Sequence, residues 1–191
     1  MPGALGAAAA PHENVELKAR CPDLVTVRRR ALDAGARPRG VLEQRDTYFV
    51  VPAGRLKLRE QHADPGDGAI VVSAELLHYR RADATRSRSS RYRRTPVEDP
   101  AAMRALLLDA LGPDGEVRKR RELLLAENVR IHLDEVDGLG TFVELEGVVD
   151  PVAHPRPGTT ARVEHLRAAL GIDQRDIVAE GYRELVARAT A

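Results

Sequence analysis

Tryptophan is absent from the 191 residues, and with two phenylalanines and four tyrosines the aromatic share is 3%. Nucleic-acid platforms that stack bases on exposed rings need more than that, so the core has to be aliphatic. Cysteine occurs once, at Cys21, which excludes an internal disulfide and a cysteine-rich metal centre and leaves a quiet structural thiol. Such usage fits a reducing cytoplasm. Neither sign of charge is in excess: 30 basic side chains face 29 acidic ones. The whole chain therefore exerts no strong pull on a polyanion or a membrane, and any electrostatic function has to come from local segregation. Neither nucleic acid nor a membrane is expected as a partner. No segment approaches the roughly 18 consecutive apolar residues that cross a bilayer. The opening MPGALGAAAAPH lacks the basic start and hydrophobic run of a signal peptide. Residues 1–11 are expected to form a flexible tail and residues 12–191 a single domain, since the length suits one core better than two.

Lysine is also scarce. Lys18, Lys57 and Lys119 are the only three, and every other basic residue is arginine. Each lysine sits in a segment of strict two-residue alternation, the period of a strand with two unlike faces. In NVELKAR (14–20), Asn14, Glu16, Lys18 and Arg20 oppose Val15, Leu17 and Ala19. RLKLR puts Arg55, Lys57 and Arg59 against Leu56 and Leu58, and VRKRRELLL puts Lys119 and Arg121 on one face, although Arg118 and Arg120 blur the alternation. VRIHLDEV groups Arg130, His132 and Asp134 against Ile131 and Leu133, while FVELE groups Glu144 and Glu146 with Phe142 against Val143 and Leu145. One reading is a wet sheet laced with cross-strand ion pairs. The other is a set of aliphatic faces packed under helices, with the charged faces converging on a common interior.

The elements between these segments support a curved or closed sheet. PDLVTVRRRALDAGA (22–36) has helical periodicity through Leu24, Val27, Ala31 and Ala34 and stops at Gly35. Two strands over 46–61 join at Pro52, Ala53 and Gly54, HADPGDG is a loop, and strands follow over 69–81 and 86–97, the first interrupted near Ser73. In DPAAMRALLLDALG, Asp99 is the N-cap, Pro100 the first helical residue and Gly112 the stop. Strands over 116–125, 128–136 and 140–149 come next, the last two linked by Asp137-Gly138, and helices over roughly 160–170 and 174–189 close the chain. About eight strands with intervening helices predict an α+β fold dominated by an antiparallel sheet.

The converging-face reading has a chemical meaning. Lysine is a compact point charge suited to phosphate, and arginine adds a planar fork. The carboxylates Glu16, Asp134, Glu144 and Glu146 are the oxygen donors that Mg²⁺ or Mn²⁺ takes when it bridges to phosphate. Scattered His12, His62, His78, His154 and His165 have no zinc spacing, whereas His132 shares a face with Arg130 and Asp134. In the basic run RSRSSRYRR, Arg88 is placed at the rim of a phosphate site. No glycine-rich phosphate loop or nucleophile motif occurs.

NVELK, GRLKLRE, the YRR of 79–81, RKR with Arg121, RIHLDEV and FVELE, in that order, resemble the CYTH superfamily of class IV adenylyl cyclases and thiamine triphosphatases, the triphosphate tunnel metalloenzymes. GIDQRDIVAEGYREL is similar to the end of the cyclase branch, and the resemblance covers about residues 12–190. It implies an eight-stranded antiparallel tunnel whose charged lumen binds a triphosphate and a divalent metal. It further implies phosphate contacts from Lys18, Lys57, Arg59, Arg81, Lys119 and Arg121, with Arg55, Arg88, Arg130 and His132 also on the substrate. Mg²⁺ or Mn²⁺ is expected on Glu16, Asp134, Glu144 and Glu146. The family's Glu-x-Glu-x-Lys signature has Asn14 in its first position here, which puts a second metal in question. The expected activity is adenylyl-cyclase-like, ATP going to cyclic AMP and pyrophosphate. The alternatives are an inorganic or thiamine triphosphatase and a non-catalytic polyphosphate-binding module, in either case a monomer or homodimer.

Overall fold

The structure, a computed structural model, describes residues 12–64, 71–81 and 88–190, with only the backbone of Arg81 and Arg88. The expected tail and most of the loop after His62 lie outside the described residues. In chain order the elements are β1 (His12–Arg20), α1 (Leu24–Asp33), β2 (Arg37–Phe49), β3 (Arg55–Asp64), β4 (Val71–Arg81), β5 (Arg88–Pro96), α2 (Pro100–Leu111), β6 (Pro113–Ala126), β7 (Val129–Val136), β8 (Gly140–Val148), α3 (Arg156–Leu170) and α4 (Tyr182–Ala189). The strands close into an antiparallel barrel in the order β1-β5-β4-β3-β2-β6-β7-β8. This is the expected α+β barrel, with its helices outside.

The aliphatic faces point outward, under the helices. Val15, Leu17 and Ala19 of β1, Leu124 of β6, Ile131 and Leu133 of β7, and Val143 and Leu145 of β8 pack with Val27 and Ala31 of α1 and Val163, Leu166 and Leu170 of α3. Each fully buried aliphatic side chain in this layer is worth roughly 1.5–3 kcal/mol. Ala34 is exposed, and the buried alanine at this end is Ala36, because α1 stops at Asp33 and the chain turns inward two residues beyond Ala34. Gly147 lets α3 lie directly on β8: a Cβ there would stand 2.5 Å from Thr159 Cγ2 and 2.9 Å from Val163 Cγ2. Asp99 caps α2 as expected, accepting from Ala102 N at 3.0 Å.

Several elements differ from expectation, β6 and α3 among them, which begin at Pro113 and Arg156, ahead of the expected 116 and 160. β2 begins at Arg37, well before Asp46, because a register shift between Pro38 and Gly40 lets the strand absorb two residues that read as a loop. β4 runs through Ser73 without a break. The helix expected over 174–189 is a 3₁₀ turn at Gln174–Asp176, an extended stretch, and then α4. Among the described residues β1 pairs with β5 from His12 to Glu16, and the end of β1 meets the extended stretch after the 3₁₀ turn. Ile177 bridges to Ala19 there, and Val178 N donates to Lys18 O at 2.9 Å.

This detour brings α4 onto one end of the barrel. Tyr182 and Leu185 pack with Tyr48, Val117, Val136 and Phe142 beside the β7–β8 turn. Arg55 of β3 binds Glu184 at 2.7 Å, and Arg183 binds Asp114 at 2.7 Å. Burial opposes the charge on Glu184, but Arg183 and Arg55 outweigh it and lower its pKa from 4.5 to about 2. A carboxyl depressed on folding stabilises above its unfolded pKa, and that contribution is lost as pH falls from about 4.3 through the folded value. Glu184→Gln is therefore expected to lose less stability than wild type on acidification from about pH 5 to pH 2.5. Thermal melts followed by the near-ultraviolet tyrosine signal would show this, and equal losses in the two proteins would contradict it.

Candidate active site

The inward faces of all eight strands are polar, and they enclose a cavity of about 280 Å³. All three lysines are buried in its wall, at 2%, 8% and 3% exposure for Lys18, Lys57 and Lys119. All four tyrosines, Tyr48, Tyr79, Tyr92 and Tyr182, line it as well. Strand parity, a weak signal in any one segment, thus places the scarce residue types together. Arg118 and Arg120, which blurred the alternation of β6, point out and pair with Glu116 and Glu135.

The lumen charges form two clusters, joined where Arg121 reaches Glu144. In the first, Lys57 and Arg59 of β3 and Lys119 of β6 gather around the carboxylate of Asp46 on the strand between them, β2, and Asp46 is 1% exposed. Asp46 accepts from Lys57 Nζ at 3.0 Å, Lys119 Nζ at 3.0 Å, and Arg59 Nε and Nη2 at 2.7 and 2.8 Å. Burial works against its charge, but Arg59, Lys119 and Lys57 prevail and hold its pKa well below the carboxylate range. Burial and the neighbouring Arg59 push Lys57 down to about 7; burial, against the pull of Asp46, takes Lys119 to about 8. Asp46 pulls both values up against burial.

In the second, neighbouring strands β1 and β8 carry Glu16, Glu144 and Glu146 beside Lys18. Glu144 binds Lys18 at 3.2 Å and Arg121 at 2.7 Å, with His132 Nδ1 at 3.4 Å. Glu146 accepts from Asn14 Nδ2 at 2.7 Å and from Arg130 Nη1 at 2.9 Å. Burial raises both pKa values; Lys18 for Glu144, and His132 with Arg130 for Glu146, lower them further than burial raises them. Burial and Arg121 lower the pKa of His132 against the pull of Glu144 and Glu146.

The structure thus brings Lys18, Lys57, Arg59, Lys119, Arg121, Arg130, His132, Glu16, Glu144 and Glu146 to one cavity. Two expected site residues stand elsewhere. Asp134 is fully buried behind the wall, with its oxygens accepting from Arg121 Nε and Nη2 at 2.6 Å each and from Tyr182 Oη at 2.7 Å. Both its oxygens are taken by Arg121 and Tyr182, and it does not line the cavity. Arg55 is taken by Glu184 of α4, because it lies at the closed end of β3. The backbones of Arg81 and Arg88 end β4 and open β5, and their side chains lie outside the described residues.

Asp46 and Tyr182 are the site residues that sequence reasoning missed. Tyr182 lays its ring 3.7 Å from Lys18 Nζ, a cation–π contact that holds the lysine in place. A parity signal for Asp46 exists, because it alternates with Gln44 and Tyr48 on a strand. It was hidden by the misplaced start of β2. Tyr182 carries no periodic signal, since a chain detour delivers it.

The donors suit a divalent cation. Asn14 is fully buried, and its Oδ1 has no hydrogen-bond partner among the described residues, although its amide nitrogen holds Glu146. A neutral carbonyl oxygen beside carboxylates is a ligand that Mg²⁺ or Mn²⁺ accepts. Among the described residues no group of three acidic, histidine or cysteine side chains is placed to hold a metal ion by itself. An ion taken here would be shared between these carboxylates and substrate phosphates.

Comparison with known proteins gives the same outline. The CYTH domain model matches residues 12–182. A Methanocaldococcus jannaschii protein named as a candidate adenylate cyclase is 33% identical over 69 residues, 36% of this chain and 39% of that relative. The solved PH1012 protein of Pyrococcus horikoshii superposes with a TM-score of 0.74 at 23% identity, covering 90% of this chain and 98% of its own. A Hippeastrum protein, titled a candidate adenylyl cyclase with a dominant triphosphatase activity, superposes with a TM-score of 0.55 at 14% identity over 89% of this chain and 91% of its own.

Proposed function

The chain belongs to the CYTH family, and on that premise we propose that it is a divalent-metal-dependent enzyme acting on a triphosphate-bearing substrate held in the barrel lumen. The observation that carries this is that one lumen holds both buried cations, Lys57 and Arg59 on β3, Lys119 and Arg121 on β6 and Lys18 on β1, and the carboxylates Glu16, Glu144 and Glu146 on β1 and β8. Polyphosphate chemistry needs both: cations for the phosphate oxygens, and carboxylates for an ion that bridges to them. Lys18, Lys57, Arg59, Lys119 and Arg121 bind the phosphates, with Arg81 also assigned to the phosphates and Arg88 to the substrate, while Arg130 and His132 steady the substrate next to Glu146 and Glu144. Glu16, Glu144 and Glu146, with Asn14 Oδ1, hold the metal. When bound, the ion neutralises charge on the phosphate oxygens as it develops.

The reaction proposed is cyclisation of ATP to cyclic AMP and pyrophosphate. A cavity of about 280 Å³ lies just below the roughly 300–1,000 Å³ of pockets that engulf a drug-sized ligand. It encloses a polyphosphate and leaves the nucleoside at the mouth, where the ribose 3′-hydroxyl can reach the α-phosphorus. The same volume favours a second reading, hydrolysis of inorganic or thiamine triphosphate, because a bare tripolyphosphate is enclosed whole. The purified chain should be incubated with ATP, tripolyphosphate and thiamine triphosphate under Mg²⁺ and Mn²⁺, with products identified by mass. Cyclic AMP with pyrophosphate supports the first reading. Orthophosphate from a triphosphate, without cyclic nucleotide from ATP, establishes the second. Tight tripolyphosphate binding with no product from any substrate would make the chain a binding module.

A further inference from the structure

We propose that Asp46 is a positioning residue that holds Lys57, Arg59 and Lys119 together as a single phosphate-gripping cluster, acting through those three cations rather than on the substrate. The proposal deepens, and rests on, the reading of the lumen as a triphosphate site. β2 lies between β3 and β6 in the barrel, so its inward side chain at Asp46 stands between Lys57 and Arg59 on one side and Lys119 on the other. Both lysine ammonium groups lie 3.0 Å from the same oxygen, Asp46 Oδ2, and Arg59 spans both oxygens. Three buried cations this close repel one another unless an anion stands among them. One carboxylate neutralises one of the three charges and leaves a net positive cluster facing the cavity. That is a preorganised arrangement for a polyanion, held in place before the substrate arrives.

The neighbouring charges show why Asp46 is needed. Lys57 faces Arg59 on its own strand, Asp46 and Tyr48 on β2, Tyr79 on β4 and Lys119 on β6. Lys119 faces Asp46, Arg59, Arg121, Asp134 and the ring of Tyr182, 5.5 Å away on α4. Of these, Asp46 is the acid that touches both lysines. Without its charge, both titrate lower than about 7 and about 8, and they are neutral where they are now substantially protonated.

The test is calorimetric titration of tripolyphosphate into wild type, Asp46→Asn and Asp46→Glu at about pH 6 and pH 8. At the higher pH the asparagine variant is expected to bind at least about tenfold more weakly relative to wild type than at the lower pH, because a unit of pKa is a factor of ten. The glutamate variant, which keeps the charge, is expected to restore most of that difference. An asparagine variant weakened equally at both pH values, or not at all, would overturn the proposal. Three lysines give three signals when the lysine Cε is labelled with carbon-13, and a downward move of two titrations in Asp46→Asn is expected without any ligand. Should that variant fail to fold, Lys57→Met poses the same question. With its rival removed, Lys119 is expected to titrate higher, and an unmoved Lys119 would overturn the shared hold of Asp46. Failure of wild type to bind tripolyphosphate would overturn the triphosphate reading instead, and the lysine titrations separate that outcome from the first.

Discussion

Replacing Asp134 by alanine is expected to destabilise the protein by about 3–5 kcal/mol, the usual consequence of stripping the partner from a buried charge. Arg121 is 6% exposed at its side chain and donates two bonds of 2.6 Å to Asp134. Its guanidinium cannot shed its proton and is held charged: burial opposes the charge, and Asp134 overcomes that opposition. Glu144 also reaches Arg121, at 2.7 Å, but is shared with Lys18. The substitution further leaves the buried Tyr182 hydroxyl without its acceptor, which loosens the contact between α4 and the lumen. Thermal or urea unfolding measures the loss, and a change below about 1 kcal/mol would mean that Glu144 alone satisfies Arg121. Tripolyphosphate should then stabilise the variant more than wild type, since it supplies the missing anion where Arg121 meets the cavity.

Replacing Glu146 by glutamine is expected to leave the fold intact and to lower Mg²⁺- or Mn²⁺-dependent turnover at least about a hundredfold, the upper end of what loss of a supporting group at a metal site costs. The side chain is 21% exposed, and its partners are an amide and an arginine that can reach solvent, so the stability cost stays near 1 kcal/mol. Its charge, by contrast, is not made up by the other donors: Glu144 is shared with Lys18, Arg121 and His132, Asn14 contributes a neutral oxygen, and Glu16 alone remains. Steady-state turnover against metal concentration, with a melting curve as control, decides the matter. Wild-type activity at every metal concentration would move the ion elsewhere.

The sequence made the walls of the lumen legible because a two-residue period is unambiguous where apolar and charged residues alternate strictly. Lys18, Lys57, Glu144 and Glu146 all stand on the face their parity assigns. Arg121 was legible despite its neighbours, because Arg118 and Arg120 are long side chains that reach water from the outer face. Asp46 was not, since Pro38 and Gly40 disguise the first half of β2 and leave the aspartate looking like the residue that opens a hairpin strand. Arg55 shares parity with Lys57 but meets α4 at the end of the barrel. Asp134 shares a face with His132, yet two strong donors enclose it. In each of these cases position along the barrel axis decides the role, and alternation alone does not report it. Tyr182 depends on where the chain crosses after Ile177, a tertiary fact fixed by the backbone contacts of Ile177 and Val178 with Ala19 and Lys18 of β1.

Isothermal titration of tripolyphosphate into the wild-type protein, with and without Mn²⁺, bears most directly on the claim that the lumen is a triphosphate site. The account predicts one site per chain, tightened by the metal and lost when Lys57 and Lys119 are both replaced by alanine. Absence of binding at low salt, or binding that survives the double replacement unchanged, would contradict it.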